Sequence, residues 1–218
     1  MALQNRVDPF GAIRATEARG LFTGNRGVIH DPATKGLLAR RWTTKAWIIC
    51  TLEHPRGVRR EPMGRNGPGG GTGWTELFFV DEVTALAAGH RPCFYCRREA
   101  ASRFSLGFGD AFGIASPKAP EIDAKLHIER VAAGGQSKAL TQGEVRSLPD
   151  GAMIAFGDRA FAIRGGAALP WTFSGYDEQP PACRPPPPGA RLITPPTTVA
   201  VLRAGYRPVW HPSAGHVA

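Results

Sequence analysis

Residues 77–97 read LFFVDEVTALAAGHRPCFYCR, and this run decides most of what the chain can become. Leu77-Phe78-Phe79-Val80 is short, apolar and partly aromatic, which predicts a strand. Asp81 then offers an N-cap, residues 81–88 predict a short helix, and Gly89 stands where a helix stops. The Arg91-Pro92 pair favours extended backbone. It delivers the chain to Cys93-Phe94-Tyr95-Cys96, two thiols three positions apart on a tight turn. Thiolates at that spacing can share one tetrahedral metal ion, and sulfur ligands suit zinc. Arg91, Arg97 and Arg98 around the pair favour the thiolate form. A redox pair is the other use of C-x2-C, but no thioredoxin-like βαβ pattern surrounds this one.

A closed metal site needs two further ligands. Cys50 ends a strand expected over residues 46–52, between Trp47 and the turn that follows. His54 lies four residues on, and C-x3-H is a workable ligand spacing. His127, His90 and His211 compete for the same role, with Cys183, inside a proline run, as the last candidate. Spacing leaves the third and fourth ligands open.

Residues 78–97 also resemble the second half of the metal-binding domain of Ada-type DNA-alkylation-repair regulators, which carries the pattern F-F-x8-A-A-G-x-R-P-C-x-x-C-R. The resemblance implies that Cys93 and Cys96 bind zinc together with an earlier cysteine pair. It also implies that one cysteine of that earlier pair accepts a methyl group from a DNA phosphotriester. Here the earlier position is Cys50-Thr-Leu-Glu-His54, so Cys50 is the cysteine to which that role falls. In this chain 38 residues separate His54 from Cys93, more than in the family, and residues 55–73 read as an insertion. The opening N-R-V-D-P-F-G resembles an uncharacterised bacterial family, a likeness that brings no activity with it.

A different chemistry can be assembled from the same cysteines. Zinc nucleobase deaminases combine H-x-E with P-C-x-x-C, one His and two Cys binding zinc while the Glu shuttles protons. Pro92-Cys93-x-x-Cys96 and His127-Ile128-Glu129 are both present, in reversed order. On this alternative Glu129 is the catalytic acid–base and His127 a ligand. Otherwise Glu129 is a solvent-facing residue of an amphipathic helix expected over 121–133. A third reading is a structural or protein-binding zinc module.

Composition and charge bound the partners. The chain has 218 residues and a net charge of +9, and the charge is lopsided. Residues 1–65 hold 12 Lys/Arg against 5 Asp/Glu, whereas residues 66–218 hold 15 against 13. A basic segment of this kind can follow a phosphate backbone and release its counterions, which makes nucleic acid, DNA first, the expected partner. Arg56, Arg59, Arg60, Arg91, Arg97 and Arg98 are the expected phosphate contacts. The Arg40-Arg41-Trp42 and Lys45-Ala46-Trp47 runs interleave cations with aromatic rings, as a stacking surface does, though both indoles also fit a core. The longest apolar runs are a few residues, so no membrane span is expected. Residues 1–20 carry Arg6, Arg14 and Arg19 with no apolar stretch behind them, so no export signal is expected and the cytoplasm is the expected compartment.

With 27 glycines and 20 prolines the chain favours short elements joined by turns, an α+β fold with no helical bundle. Two parts are expected. Residues 1–140 form a zinc-stabilised basic part with a mobile Gly/Arg loop at 55–73. Residues 141–218 form a β-meander with strands at 152–156, 161–163 and 169–171, a proline-rich linker at 180–189 and a helix at 198–204. The pattern V-x-x-L-x-A-G-[HY]-R-P occurs twice, at 83–92 and 199–208. It reads as a repeated helix-stop device or as duplicated phosphate-contacting helix ends.

Overall fold

The computed structural model describes residues 2–132, 139–176 and 189–215; the proline-rich linker and Cys183 lie outside them. The fold is α+β, with helices packed against two sheets. The first sheet is mixed and has six strands: β1 (Gln4–Val7), β2 (Ile13–Ala15), β3 (Phe22–Asn25), β4 (Ile48–Thr51), β5 (Leu77–Phe79) and β6 (Arg91–Pro92). Their spatial order is β2-β1-β5-β3-β4-β6. The second sheet is antiparallel. It comprises β7 (Met153–Phe156), β8 (Arg159–Arg164), β9 (Ala167–Thr172), β10 (Gly175–Tyr176) and β11 (Arg191–Leu192).

Between the sheets lies α1 (Glu82–Ala87), every residue of which is buried. A helix apolar all round belongs inside a protein, and Val83-Thr-Ala-Leu-Ala-Ala has that character. Ala85 and Leu86 join a cluster with Ile49, Phe79, Phe104 and Leu202, while Val83 and Ala87 pack with Met153 and Ala162 of the second sheet. The expected boundary near residue 140 therefore does not separate two cores, because α1 serves both. Helices α2 (Arg98–Phe112), α3 (Ala119–Ala132) and α5 (Pro196–Arg203) complete the larger cluster through Phe104, Ile122, Leu126 and Val201. The short α4 (Gln142–Arg146) carries a capping box between Thr141 and Glu144.

The buried N-terminus of α1 needs counter-groups, and it finds them from both sides. The Asp81 carboxylate accepts from Thr84 N and Oγ1, from Tyr176 Oη at 2.8 Å and from His211 N. Burial pushes its pKa above the usual carboxylate range. Glu82 accepts a bidentate pair from Arg97, a hydrogen bond from Tyr206 Oη and one from Val209 N. The two carboxylates at the start of α1 are thus paired on every oxygen.

Two differences from the sequence reading concern the N-terminal half. The hairpin of β1 and β2 was not expected, because Gln4, Asn5 and Arg6 lack an apolar strand pattern. Residues 55–73, expected as a mobile loop, are anchored by Met63, which is fully buried and whose N–H bonds Glu76 at 2.9 Å.

Candidate metal centre

Strands β4 and β6 run parallel, with Ile48 opposite Arg91 and Ile49 opposite Pro92. The Cys93 N–H continues this ladder to the Ile49 carbonyl at 2.9 Å. One residue further along, Cys50, still paired with Thr23 of β3, and Cys93, just past the end of β6, lie side by side. The turn that follows closes through Arg97 N–H to Cys93 O at 2.9 Å, and it brings Cys96 back towards the pair. The result is three sulfur atoms within 4.8 Å of one another.

Three cysteines from two distant segments could hold a metal ion. Zinc–sulfur bonds of about 2.3 Å in a tetrahedron place sulfurs roughly 3.8 Å apart, so the donor set fits with a small contraction. All three cysteines are free, Cys93 is buried, and Cys50 and Cys96 are half-buried. Without a metal they share charge unevenly. Hydrogen bonds from Cys50 and Cys96 pull the Cys93 thiol pKa down, and the Tyr95 N–H, 3.4 Å from its sulfur, adds to this. Donating to Cys93 pushes the Cys50 pKa up. A cation in the middle removes this conflict by favouring thiolate at every position.

His54 lies outside the set of mutually close donor atoms, yet it borders the same cavity. Its ring sits 5.9 Å from that of Tyr95, and its Nδ1 accepts from the Arg56 N–H at 3.2 Å. That contact leaves Nε2 as the ring nitrogen available to a ligand. His127 is elsewhere: it packs edge-on against Trp42 at 5.5 Å, and burial lowers its pKa. Glu129 is elsewhere too. Its carboxylate accepts from Thr197 N at 3.1 Å and Thr197 Oγ1 at 2.5 Å, so it caps the first turn of α5. The H-x-E and P-C-x-x-C elements are therefore not brought to one centre. His90 is buried against Arg26, and His211 caps the Pro212–Ala214 turn.

The expected phosphate contacts divide into two groups. Arg91 is buried, with Nε and Nη2 on the two oxygens of Asp123 at 2.8 and 2.7 Å. Arg97 is likewise committed to Glu82 at 2.8 and 2.9 Å and stacks on Phe22. Both expectations are corrected here, because these guanidiniums hold the interior together and do not face solvent. Arg56, Arg59 and Arg98 are exposed. Arg56 and Arg60 border the cavity beside the thiols, Arg56 over the Tyr95 ring at 5.7 Å and Arg60 over Trp74 at 3.4 Å.

That cavity has a volume of about 890 Å³. One wall is made of Trp74, Glu76 and Phe78, which sequence reading did not single out. Their signal was present: alternate residues of an extended segment share a face, and the other set, Thr75, Leu77 and Phe79, is fully buried. Among the described residues no helix is long and apolar enough to cross a membrane. No family model, curated protein or solved structure matches the chain.

Proposed function

We propose that the chain is a zinc protein that binds nucleic acid through its phosphate backbone. Cys50, Cys93 and Cys96 hold the ion, and His54 from the adjoining loop supplies the fourth ligand. The observation that carries the reading is the convergence of the three thiols at the ends of two parallel strands. Zinc would keep the thiols deprotonated and fix the basic loop beside them. Arg56, Arg59 and Arg60 on that loop, with Arg98 at the start of α2, are the cations that meet phosphate. Three free thiols close together support a reducing compartment, the cytoplasm, as the place of work.

The resemblance of residues 78–97 to the Ada metal domain supports DNA as the nucleic acid and adds a role for Cys50. Its sulfur would form a bond to a methyl carbon as that carbon's bond to a phosphotriester oxygen breaks, leaving a phosphodiester. The position of Cys50 on the cavity wall supports this role.

Elemental analysis of protein purified without a metal-affinity tag tests the metal centre. Stoichiometric zinc is expected, retained in His127→Ala and lost in Cys50→Ser. Zinc that depends on His127 and not on Cys50 would overturn the ligand assignment. Equilibrium DNA binding across a salt series tests the partner. Four neutralised phosphates, one for each of these cations, give a log–log slope of about −3.6, a loss of roughly 150-fold between 50 and 200 mM salt. Binding that ignores salt, or none, would overturn the nucleic-acid reading.

A further inference from the structure

The cavity over the thiols is larger than a metal centre needs, and its lining includes groups that no ligand sphere uses. Tyr95 is 55% exposed and Trp74 is 37% exposed, two broad ring surfaces held at one opening. Arg60 covers Trp74, yet its Nε and Nη1 are buried with no hydrogen-bond partner. Buried guanidinium donors without acceptors are costly, and an anionic oxygen would satisfy them. Glu76 is the third group. It is only 6% exposed; its Oε2 accepts from Met63 N at 2.9 Å, while Oε1 has only a long 3.5 Å contact from Asn66. Oε1 thus keeps acceptor capacity for an N–H donor.

These three features together select a class of ligand. A purely anionic ligand would suit Arg56 and Arg60 but would meet the Glu76 carboxylate unfavourably. A purely apolar one would leave both arginines and the glutamate without partners. What is required is a planar ring to stack, an edge bearing N–H donors and an anionic group at one end. The geometry points to one nucleotide unit as the occupant of this cavity. Its base stacks on Tyr95 or on the Arg60–Trp74 pair, Glu76 accepts from the base edge, and Arg56 and Arg60 hold the phosphate. The volume suits a ligand of that size. Where the nucleotide belongs to a strand, the inference rests on the nucleic-acid reading above, and the base must leave its stack to enter. A free nucleotide presents the same chemistry.

The test compares two fluorescein-labelled single strands of equal length, one with bases and one with an abasic tetrahydrofuran–phosphate backbone, on the full metal-loaded chain. The base-bearing strand is expected to bind at least about tenfold more tightly, as stacking of a single base commonly gives. Tyr95→Ala and Trp74→Ala should bring the two strands to near parity, and Tyr95→Phe should keep the preference. Zinc content and circular dichroism check each variant, and exposed Tyr95 carries the test should Trp74→Ala not fold. Equal binding of both strands by the unmodified protein overturns the inference while leaving backbone binding intact. A preference that survives in both alanine variants also overturns it, since the bases are then read elsewhere. If neither strand binds, deoxynucleoside monophosphates are titrated by calorimetry. Tyr95-dependent binding of these supports a free-nucleotide site and removes the nucleic-acid reading; no binding of any probe removes both.

Discussion

Helices α1 and α5 stop in the same way and lead to different ends. In the first, Gly89 has φ +83°, its N–H bonds Leu86 O, and His90 N–H bonds Ala85 O. In the second, Gly205 has φ +103°, its N–H bonds Leu202 O, and Tyr206 N–H bonds Val201 O. After each glycine come one aromatic-ring residue, His90 or Tyr206, and then Arg-Pro. From there the copies part. Arg91-Pro92 becomes β6 beside β4 and ends in buried Cys93, whereas Arg207-Pro208 joins no described strand and ends in Val209, 47% exposed. The second copy serves the first, because Val209 exchanges hydrogen bonds with Glu82 at the start of α1. The repeated motif therefore fixes a chain direction. What turns one copy into a candidate site is the neighbouring strand that carries Cys50.

Arginine is the sharpest place to break this comparison. Arg91 is paired with Asp123 and both side chains are under a tenth exposed. Removing one partner of such a pair leaves a buried charge alone, so Arg91→Ala should cost about 3–5 kcal/mol in urea unfolding. Arg207 is exposed, and Arg207→Ala should stay within about 0.5 kcal/mol. Equal losses in the two variants would mean that the copies are energetically alike. The stopping glycines come next. A left-handed residue other than glycine costs about 1–2 kcal/mol, which is the expectation for Gly205→Ala, where a Cβ meets nothing within 4 Å. At Gly89 the Cβ would lie 3.0 Å from the Arg130 side chain, which itself donates to Gly89 O. Gly89→Ala should therefore cost more, about 2–3 kcal/mol. Thermal unfolding of the two variants side by side gives the order directly.

How much of this was legible beforehand depends on the range of the cause. The helix stop, the N-cap at Asp81 and the C-x2-C turn are local, and each stands in the structure where its residues suggested. Cys50 was legible as the end of a strand, and the structure brings it to Cys93 and Cys96. Arg91 and Arg97 were read as phosphate contacts because charge in a sequence does not reveal its partner. Asp123 lies 32 residues from Arg91, and only folding brings them together. Glu129 was open to two readings for the same reason, and Thr197, 68 residues away, takes it as a cap. The capping box at Thr141 and the alternation of Trp74, Glu76 and Phe78 were local signals that went unread.

The smaller effects separate the residues that follow the glycines. His90 is buried, and burial together with the charges of Arg26 and Arg130 holds its pKa well below the ordinary imidazole value. The unfolded chain takes up a proton near pH 6.5 that the folded one refuses, so stability is complete above that pH and falls as pH drops. The slope from one such group is at most about 1.4 kcal/mol per pH unit. His127 shifts in the same direction, so His90→Gln should reduce the fall in urea midpoint between pH 7.5 and 5.5 without abolishing it. A midpoint curve unchanged in His90→Gln would show that the first copy carries no such titration.

Tyr206, the matching residue of the second copy, is silent in that window, because burial raises its phenol pKa above the ordinary value. Its contribution is the hydrogen bond to Glu82 Oε1 at 2.6 Å. Tyr206→Phe removes the donor but leaves that oxygen bonded to Arg97 at 2.8 Å. The carboxylate is then still paired, so the loss is that of one hydrogen bond, about 1 kcal/mol, and not that of an orphaned buried charge. Urea unfolding of Tyr206→Phe alone and combined with Arg97→Lys distinguishes these cases. With the Arg97 fork weakened, the phenol carries more of the Glu82 charge, and the double variant should lose more than the two single losses together. Simple additivity would mean that the second copy braces α1 only by packing.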